Sequence, residues 1–202
     1  MVQRKLLKLV GIGIFVIVVL LLVVFFINKQ FGSPFKTNMS SKTVVREMRN
    51  LNRLETAAFT IEKVIDSGST GNRFQELLFG DRILLIAHGE VIAGFDLSKL
   101  PEENISIDGQ TIRLTLPSPQ ILVTRLDSDE TRVYDRRQGL LSKGDKDLES
   151  SARLEAEKVI RQAACQGGIL NEASKNARSQ LTALFKTLKF TSVVIETPSG
   201  SC

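Results

Sequence analysis

The chain has 202 residues, with 27 Lys and Arg against 22 Asp and Glu, one His, two Cys, no Trp and a pI near 9.4. A formal charge of +5 suggests a nucleic-acid or anionic-surface binder, but Arg4, Lys5, Lys8 and Lys29 flank a single apolar run and no acid lies before residue 30. The remainder holds 23 basic and 22 acidic residues, a net of +1, which leaves no basic excess for a DNA or RNA partner. The single His also excludes His-based metal clusters.

Residues 1–8 form a basic tail. Residues 9–27, LVGIGIFVIVVLLLVVFFI, carry no charged or polar side chain. As a helix this run is about 28 Å long, the thickness of a bilayer hydrocarbon core. A cleaved signal peptide has a shorter apolar region followed by small residues. Here Asn28-Lys29-Gln30-Phe31 follows, with no Cys to be lipidated. An uncleaved, single-pass transmembrane helix is therefore expected, with the lipid bilayer as its partner. By number, Lys29, Lys36 and Lys42 nearly balance the tail, but the tail is denser in charge. The expected orientation is N-terminus in the cytoplasm and domain outside the plasma membrane.

Residues 28–54 read as a linker and a juxtamembrane helix. Gly32, Ser33 and Pro34 mark the linker, and Ser40 or Ser41 can cap a helix running to Arg53. Val44, Met48, Leu51 and Leu54 give it one apolar face, suited either to a stalk or to docking on its own domain.

A soluble domain is expected over residues 55–197. Ala57, Phe59 and Ile61 alternate as in a strand, and residues 67–71 read as a loop. Residues 82–87 form a short apolar run consistent with a buried strand, His88-Gly89 reads as a turn, and residues 91–95 read as a second strand. Ile105 and Ile107, then Asp108-Gly109, then Ile112, Leu114 and Leu116 predict a hairpin, because Asp-Gly supplies the positive φ of a tight turn. Pro117-Ser118-Pro119 interrupts the pattern, residues 121–126 resume it, and residues 131–135 add one more short strand. Five to seven strands joined by short turns favour antiparallel pairing.

The last third reads as two helices and a strand. Leu148, Ala152, Ala156, Val159 and Ala163 line one helix, which Gly167-Gly168 ends. Leu170, Ala173, Ala177, Leu181, Leu184 and Leu188 line the next, and residues 191–197 form a final strand that returns to the sheet. The Ala-rich stripes suit close packing, on the chain's own sheet or on another protomer. Residues 198–202 are a tail. The expected class is α+β: an N-terminal transmembrane helix, then a mainly antiparallel sheet packed with two C-terminal helices and a last strand.

An ordered set of short signatures runs through this domain. Ala93-Gly94-Phe95-Asp96-Leu97-Ser98, Leu116-Pro117-Ser118-Pro119 and Tyr134-Asp135 are followed by Gly168-Ile169-Leu170, Ala173, Asn176-Ala177 and Leu188-Lys189-Phe190. Together they resemble the bacterial domain of unknown function 4230 over residues 54–197. The resemblance implies a single-pass envelope protein with a sheet-and-helix domain and implies no catalytic residues. Where the family pattern has Gly before Phe190, this chain has Lys189, a departure that bears on the turn into the last strand.

Few residues point to chemistry. His88, beside Gly89, would have to serve any Ser/His/Asp set, and its place suits a surface turn better. Cys165 and Cys202 form no CxxC. Cys165 reads as a small buried hydrophobe, although an oxidising compartment would allow a bridge between the two. Asp127, Asp129 and Glu130 could hold a hard cation but lack the spacing of a calcium loop, and read as a polar turn. Asp96 can cap a turn, and Asp135 can pair with Arg136 or Arg137. No cofactor, metal ligand or catalytic set is expected. The leading expectation is a non-enzymatic, membrane-tethered module that binds a protein partner or assembles with itself. A carboxylate hydrolase built on Asp96 and Asp135, and an oligomeric scaffold, are the alternatives. Converging acids with a shifted pKa would favour the hydrolase, and a continuous exposed apolar patch would favour a binding surface.

Overall fold

Two strands of sixteen residues each dominate the architecture: β1 (Arg53–Gly68) and β2 (Asp81–Asp96) pair antiparallel over almost their whole length. At about 3.3 Å per residue the ribbon is about 50 Å long. The computed structural model describes residues 19–23, 25, 40–68 and 72–202. Residues 40–202 form one compact unit, separate from residues 1–39. The expected membrane helix falls mostly outside the described residues. Its residues 19–23 and 25 are helical with exposed side chains. Among the described residues no helix is long and apolar enough to cross a membrane.

The reading of β2 as two strands with a turn at His88-Gly89 is corrected: one strand runs through both residues. Its odd-numbered positions, from Asp81 through Ile83, Leu85, Ala87, Gly89, Val91 and Ala93 to Phe95, are all buried. Gly89 serves close packing, not a turn. A Cβ there would stand 2.9 Å from Ile160 Cδ1 and 2.9 Å from the Arg125 carbonyl oxygen. The interruption lies in the neighbouring strand instead. β5 (Gln120–Leu126) pairs with one half of β2 and β6 (Arg132–Gln138) with the other. Between them residues 127–131 loop out opposite His88. The Asp127 amide donates to the His88 carbonyl at 2.8 Å, and the Thr131 hydroxyl accepts from the His88 amide at 3.1 Å.

A second, three-stranded sheet completes the seven strands among the described residues. The hairpin of β3 (Ile105–Asp108) and β4 (Thr111–Thr115) turns at Gly109, with φ +57°, as the Asp-Gly pair requires. β7 (Ser192–Glu196) joins β4 in parallel, so the final strand returns to this sheet and not to the long ribbon.

The helix α1 (Ser41–Asn50) docks on β3 and on the short 3-10 turn Glu102–Asn104, and buries Val44, Val45 and Met48. It ends before Arg53 because Asn52 takes the left-handed conformation, φ +56°. Leu54 thus belongs to β1, and Leu51 is left exposed. A second helix, α2 (Arg73–Phe79), lies in the β1–β2 connection, where no helix was expected.

α3 (Leu148–Gln166) and α4 (Ile169–Thr187) cover one face of the long ribbon. α3 buries Leu148, Ala152, Ala156, Ile160 and Ala164, a strict spacing of four that places Ile160 and Ala164 inward in place of Val159 and Ala163. Small side chains bring the helix close to the sheet. α4 buries Ile169, Leu170, Ala173, Ala177, Leu181 and Phe185, which leaves Leu184 and Leu188 exposed against expectation. Thr56 locks α4 to β1: its hydroxyl donates to the Ala173 carbonyl at 2.9 Å, and its carbonyl accepts from Asn176 Nδ2 at 2.9 Å.

Cys165 is half-buried and is bonded to Cys202, so it is not the buried free hydrophobe expected. The bridge holds the C-terminal tail against the domain, with Gly200 against Pro119 and Leu170. Among the described residues no helix covers the opposite face of the ribbon.

Candidate functional site

The end of the ribbon farthest from α1 concentrates the unexplained features. Asn72 begins α2 by accepting the Gln75 amide at 2.9 Å, and the Gly80 amide closes it on the Glu76 carbonyl at 3.0 Å. The segment after β6 runs alongside. The Gly139 amide donates to the Gly80 carbonyl at 2.7 Å, Leu140 to Leu77 at 3.1 Å, and Leu141 to Leu78 at 2.7 Å. These bonds fix the backbone but leave side chains outside: Phe74 is 69% exposed, Leu77 60%, Phe79 61%, Leu140 80% and Leu141 61%. They flank the end of the ribbon on two sides: Leu77 lines a groove beside Arg82 and Arg137, and Phe79 a cavity with Ser67, Lys143 and Leu148.

A buried carboxylate held by an exposed arginine anchors this end. Asp81 is 6% exposed and accepts from Arg136 Nε at 3.1 Å and Nη2 at 2.8 Å, and from the Asp145 amide at 2.7 Å. Arg136 also donates to the Asp145 carbonyl at 2.6 Å. The Arg136 guanidinium, with the Asp145 amide, holds the Asp81 carboxyl below the usual carboxylate range, against the opposing effect of burial. The loop bearing Leu140 and Leu141 is thereby clamped to the start of β2.

On the uncovered face, Arg82 grips Asp66 with both nitrogens of its fork, and Arg137 Nε donates to Asp135 at 2.8 Å. Leu84 lies between the two pairs in a cavity of about 250 Å³. Arg82 draws the Asp66 pKa downward. The Asp66 and Asp81 carboxyls are thus stabilised in the ionised form, as ion-pair partners. A general acid needs the opposite shift. Between α2 and β6 a groove of about 430 Å³ is lined by Glu76, Leu77, Arg82, Arg137 and Gln138.

The residues singled out in the sequence do not converge. Asp96 ends β2, where it accepts from the Ser98 hydroxyl and amide at 2.6 and 3.0 Å; that turn lowers its pKa. Asp135 faces Leu84, twelve residues back along β2. The two acids are therefore about 40 Å apart, against the roughly 5–10 Å of paired glycosidase carboxylates. They form no hydrolytic couple.

Asp127 closes its own turn by accepting the Asp129 and Glu130 amides at 2.9 and 3.1 Å. Among the described residues no group of three His, Cys, Asp or Glu side chains is placed to hold a metal ion. His88 Nδ1 lies 3.1 Å from a Glu130 oxygen and 3.5 Å from a Glu62 oxygen, Glu62 being its partner across the β1–β2 register. Arg125 and Glu90 pair next to it, which makes this region a charge-matched strand surface.

The sequence reading missed α2 and the apolar end. The available signal was Phe74, Leu77-Leu78-Phe79 and Leu140-Leu141, apolar groups inside otherwise polar connections.

The chain matches the family described as "Protein of unknown function (DUF4230)" over residues 46–195, and it belongs to that family. No curated protein and no solved structure matches it. Several signature residues have structural roles here: Asn176 holds the Thr56 carbonyl, Tyr134 sits at an irregularity of β6, and Asp96 and Ser98 build the turn after β2. Lys189, where the resemblance led us to expect Gly, has φ +70°, a conformation that favours Gly.

Proposed function

We propose that this protein is a single-pass, membrane-anchored, non-enzymatic docking and assembly module of the cell envelope, which binds through the far end of its β1–β2 ribbon. The observation that carries this reading is the exposed surface of Phe74, Leu77, Phe79, Leu140 and Leu141, held in place by the Gly80–Gly139 pairing and the Asp81–Arg136 clamp. Large apolar side chains held exposed on a hydrogen-bonded frame are typical of an interaction surface. The anchor is supported by the length of residues 9–27 and by the exposed apolar side chains of residues 19–23 and 25. The Cys165–Cys202 bridge supports an oxidising compartment, and hence a domain outside the cytoplasm.

Two experiments test the proposal. A photo-crosslinking amino acid at Phe74 or Leu140 in cells should give discrete adducts, while one at Ser128 should give none. Equal or absent crosslinking at all three sites would overturn the docking surface. A Cys at Ser128 should react with a membrane-impermeant thiol reagent on intact cells. Reaction only after lysis would overturn the orientation.

A further inference from the structure

We infer that β7 pairs with the β7 of a second copy, so that two three-stranded sheets join edge to edge. This surface is separate from the α2 end, and the inference stands or falls without it.

The smaller sheet runs in the order β3-β4-β7, which makes β3 and β7 its edges. α1 docks on β3. Among the described residues no strand pairs with the outer side of β7. β7 also lacks the usual guards of an open edge. Ser192-Val193-Val194-Ile195-Glu196 holds no Lys and no Pro, and its register with β4 runs without a bulge.

The hydrogen bonds show which groups this edge offers. The Ser192 amide donates to the Gln110 carbonyl at 3.3 Å, and the Glu196 carbonyl accepts from the Leu116 amide at 2.9 Å. Alternate residues of a strand bond to a given parallel neighbour, so Ser192, Val194 and Glu196 face β4. Val193 and Ile195 turn their N–H and C=O groups to the outside. These two residues lie symmetrically about Val194, so the edge is its own complement. In an antiparallel pair on a twofold axis at Val194, Val193 faces Ile195 of the second copy. The two exchange N–H···O=C bonds, and every outward group of both strands is satisfied. Sliding the register by two residues would pair an outward residue with Thr191, whose amide already serves Gln110, or with Thr197, beyond the strand and next to Pro198.

The side chains agree with this register. Val193 lies opposite Ile195 and Val194 opposite its own copy. The one charged residue, Glu196, lies opposite Ser192, so no like charges meet. A twofold contact of this kind closes at two copies. Copies anchored in one bilayer, as proposed above, meet at a raised effective concentration.

The test is disulfide trapping of the full-length protein in intact cells with copper phenanthroline as oxidant, read on non-reducing gels. The native cysteines are bonded to each other, so an introduced one supplies the only free thiol. Val194→Cys sets two thiols face to face in a pair with about 4.5 Å between Cα atoms and should give a covalent dimer, while Ser128→Cys should give none. Ser192→Cys and Glu196→Cys lie at exposed positions and fix the register: co-expressed they should give a dimer, and each alone should not. Ile195→Pro removes one outward N–H from each copy without touching the bonds to β4. It should weaken the Val194→Cys dimer about 30-fold, the equivalent of two hydrogen bonds. No dimer from Val194→Cys, or trapping equal to that at Ser128→Cys, would overturn the inference. So would a dimer from Ser192→Cys alone as strong as from the co-expressed pair. A product joined to a different protein would assign the edge to a partner's strand and overturn the second copy. The photo-crosslinker at Phe74 reads the α2 end separately.

Discussion

The passage of β2 through Gly89 can be tested by a double-mutant cycle with Ile160, the α3 side chain that rests on it. A Cβ at position 89 would lie 2.9 Å from Ile160 Cδ1, 2.9 Å from the Arg125 carbonyl oxygen and 3.3 Å from Leu126 Cδ2. Overpacking of this kind costs about 1–3 kcal/mol. The gain of Ala over Gly within a strand returns about 0.5–1 kcal/mol. Gly89→Ala should therefore destabilise the domain by about 1–2 kcal/mol. Ile160 is fully buried, and Ile160→Val removes the Cδ1 atom in question, at about 0.5–1.5 kcal/mol. In the double variant the new methyl occupies the space that Cδ1 vacated, so the combined loss should fall short of the sum by about 0.5–1 kcal/mol. Urea unfolding of residues 40–202, followed by far-ultraviolet circular dichroism because the chain has no Trp, measures all four forms. If the two losses add to within about 0.3 kcal/mol, Ile160 does not pack on Gly89 and the account of β2 fails.

Cys202→Ser opens a bridge spanning 37 residues and should cost roughly 4 kcal/mol by loop-closure entropy; reduced wild type should unfold at the same urea concentration as the variant. Arg136 holds the Asp81 pKa down in the folded state, so the stability this pair contributes is complete above the unfolded carboxyl value near 3.9 and is lost as pH falls through the lower folded value. Asp81→Asn should flatten the acid limb of a stability–pH curve and cost about 1–3 kcal/mol at pH 7 through its weakened hydrogen bonds; an unchanged acid limb would contradict the clamp. Lys189→Gly should stabilise the domain by about 1 kcal/mol, read as a raised Tm, because φ +70° strains a side-chain-bearing residue. Lys63→Val should turn the β1 edge into an aggregation site, seen as concentration-dependent scattering.

What the sequence revealed depended on how local each signal was. The β3–β4 hairpin was legible because Asp108-Gly109 specifies its turn within two residues, and the break before α4 because Gly168 adopts φ +79°. Gly89 misled because a Gly in an apolar run signals a turn unless the helix packed on it is known, and Ile160 is 71 residues away. The division into two sheets was hidden for the same reason: β7 finds β4 across some eighty residues. α2 escaped because its Phe and Leu residues face outward, so no buried stripe announces it. The bridge escaped because nothing in the pattern of the tail shows that it folds back over Pro119.

Besides its uncovered face, the long ribbon offers another chain its outer edge and its α2 end, and the fold treats these two differently. Among the described strands β1 pairs with β2 alone, which leaves its outer edge open, the usual invitation to strand addition. That edge is protected. Lys63 occupies a position in the inward series of Ala57, Phe59, Ile61 and Ile65 yet stays exposed, so a strand added there would have to bury its charge. The register shift between Glu55 and Ala57 bends the strand, and Asn176 already occupies the Thr56 carbonyl. The α2 end has no equivalent guard. Its hydrogen bonds and the Asp81–Arg136 pair hold Phe74, Leu77, Phe79, Leu140 and Leu141 outward, and the charges beside Leu77, on Arg82 and Arg137, are already paired with Asp66 and Asp135. A fold that blocks the long open edge while stiffening an apolar end directs association to that end. This is why the α2 end, and not the more extended β1 edge, is the surface on which the proposed function rests.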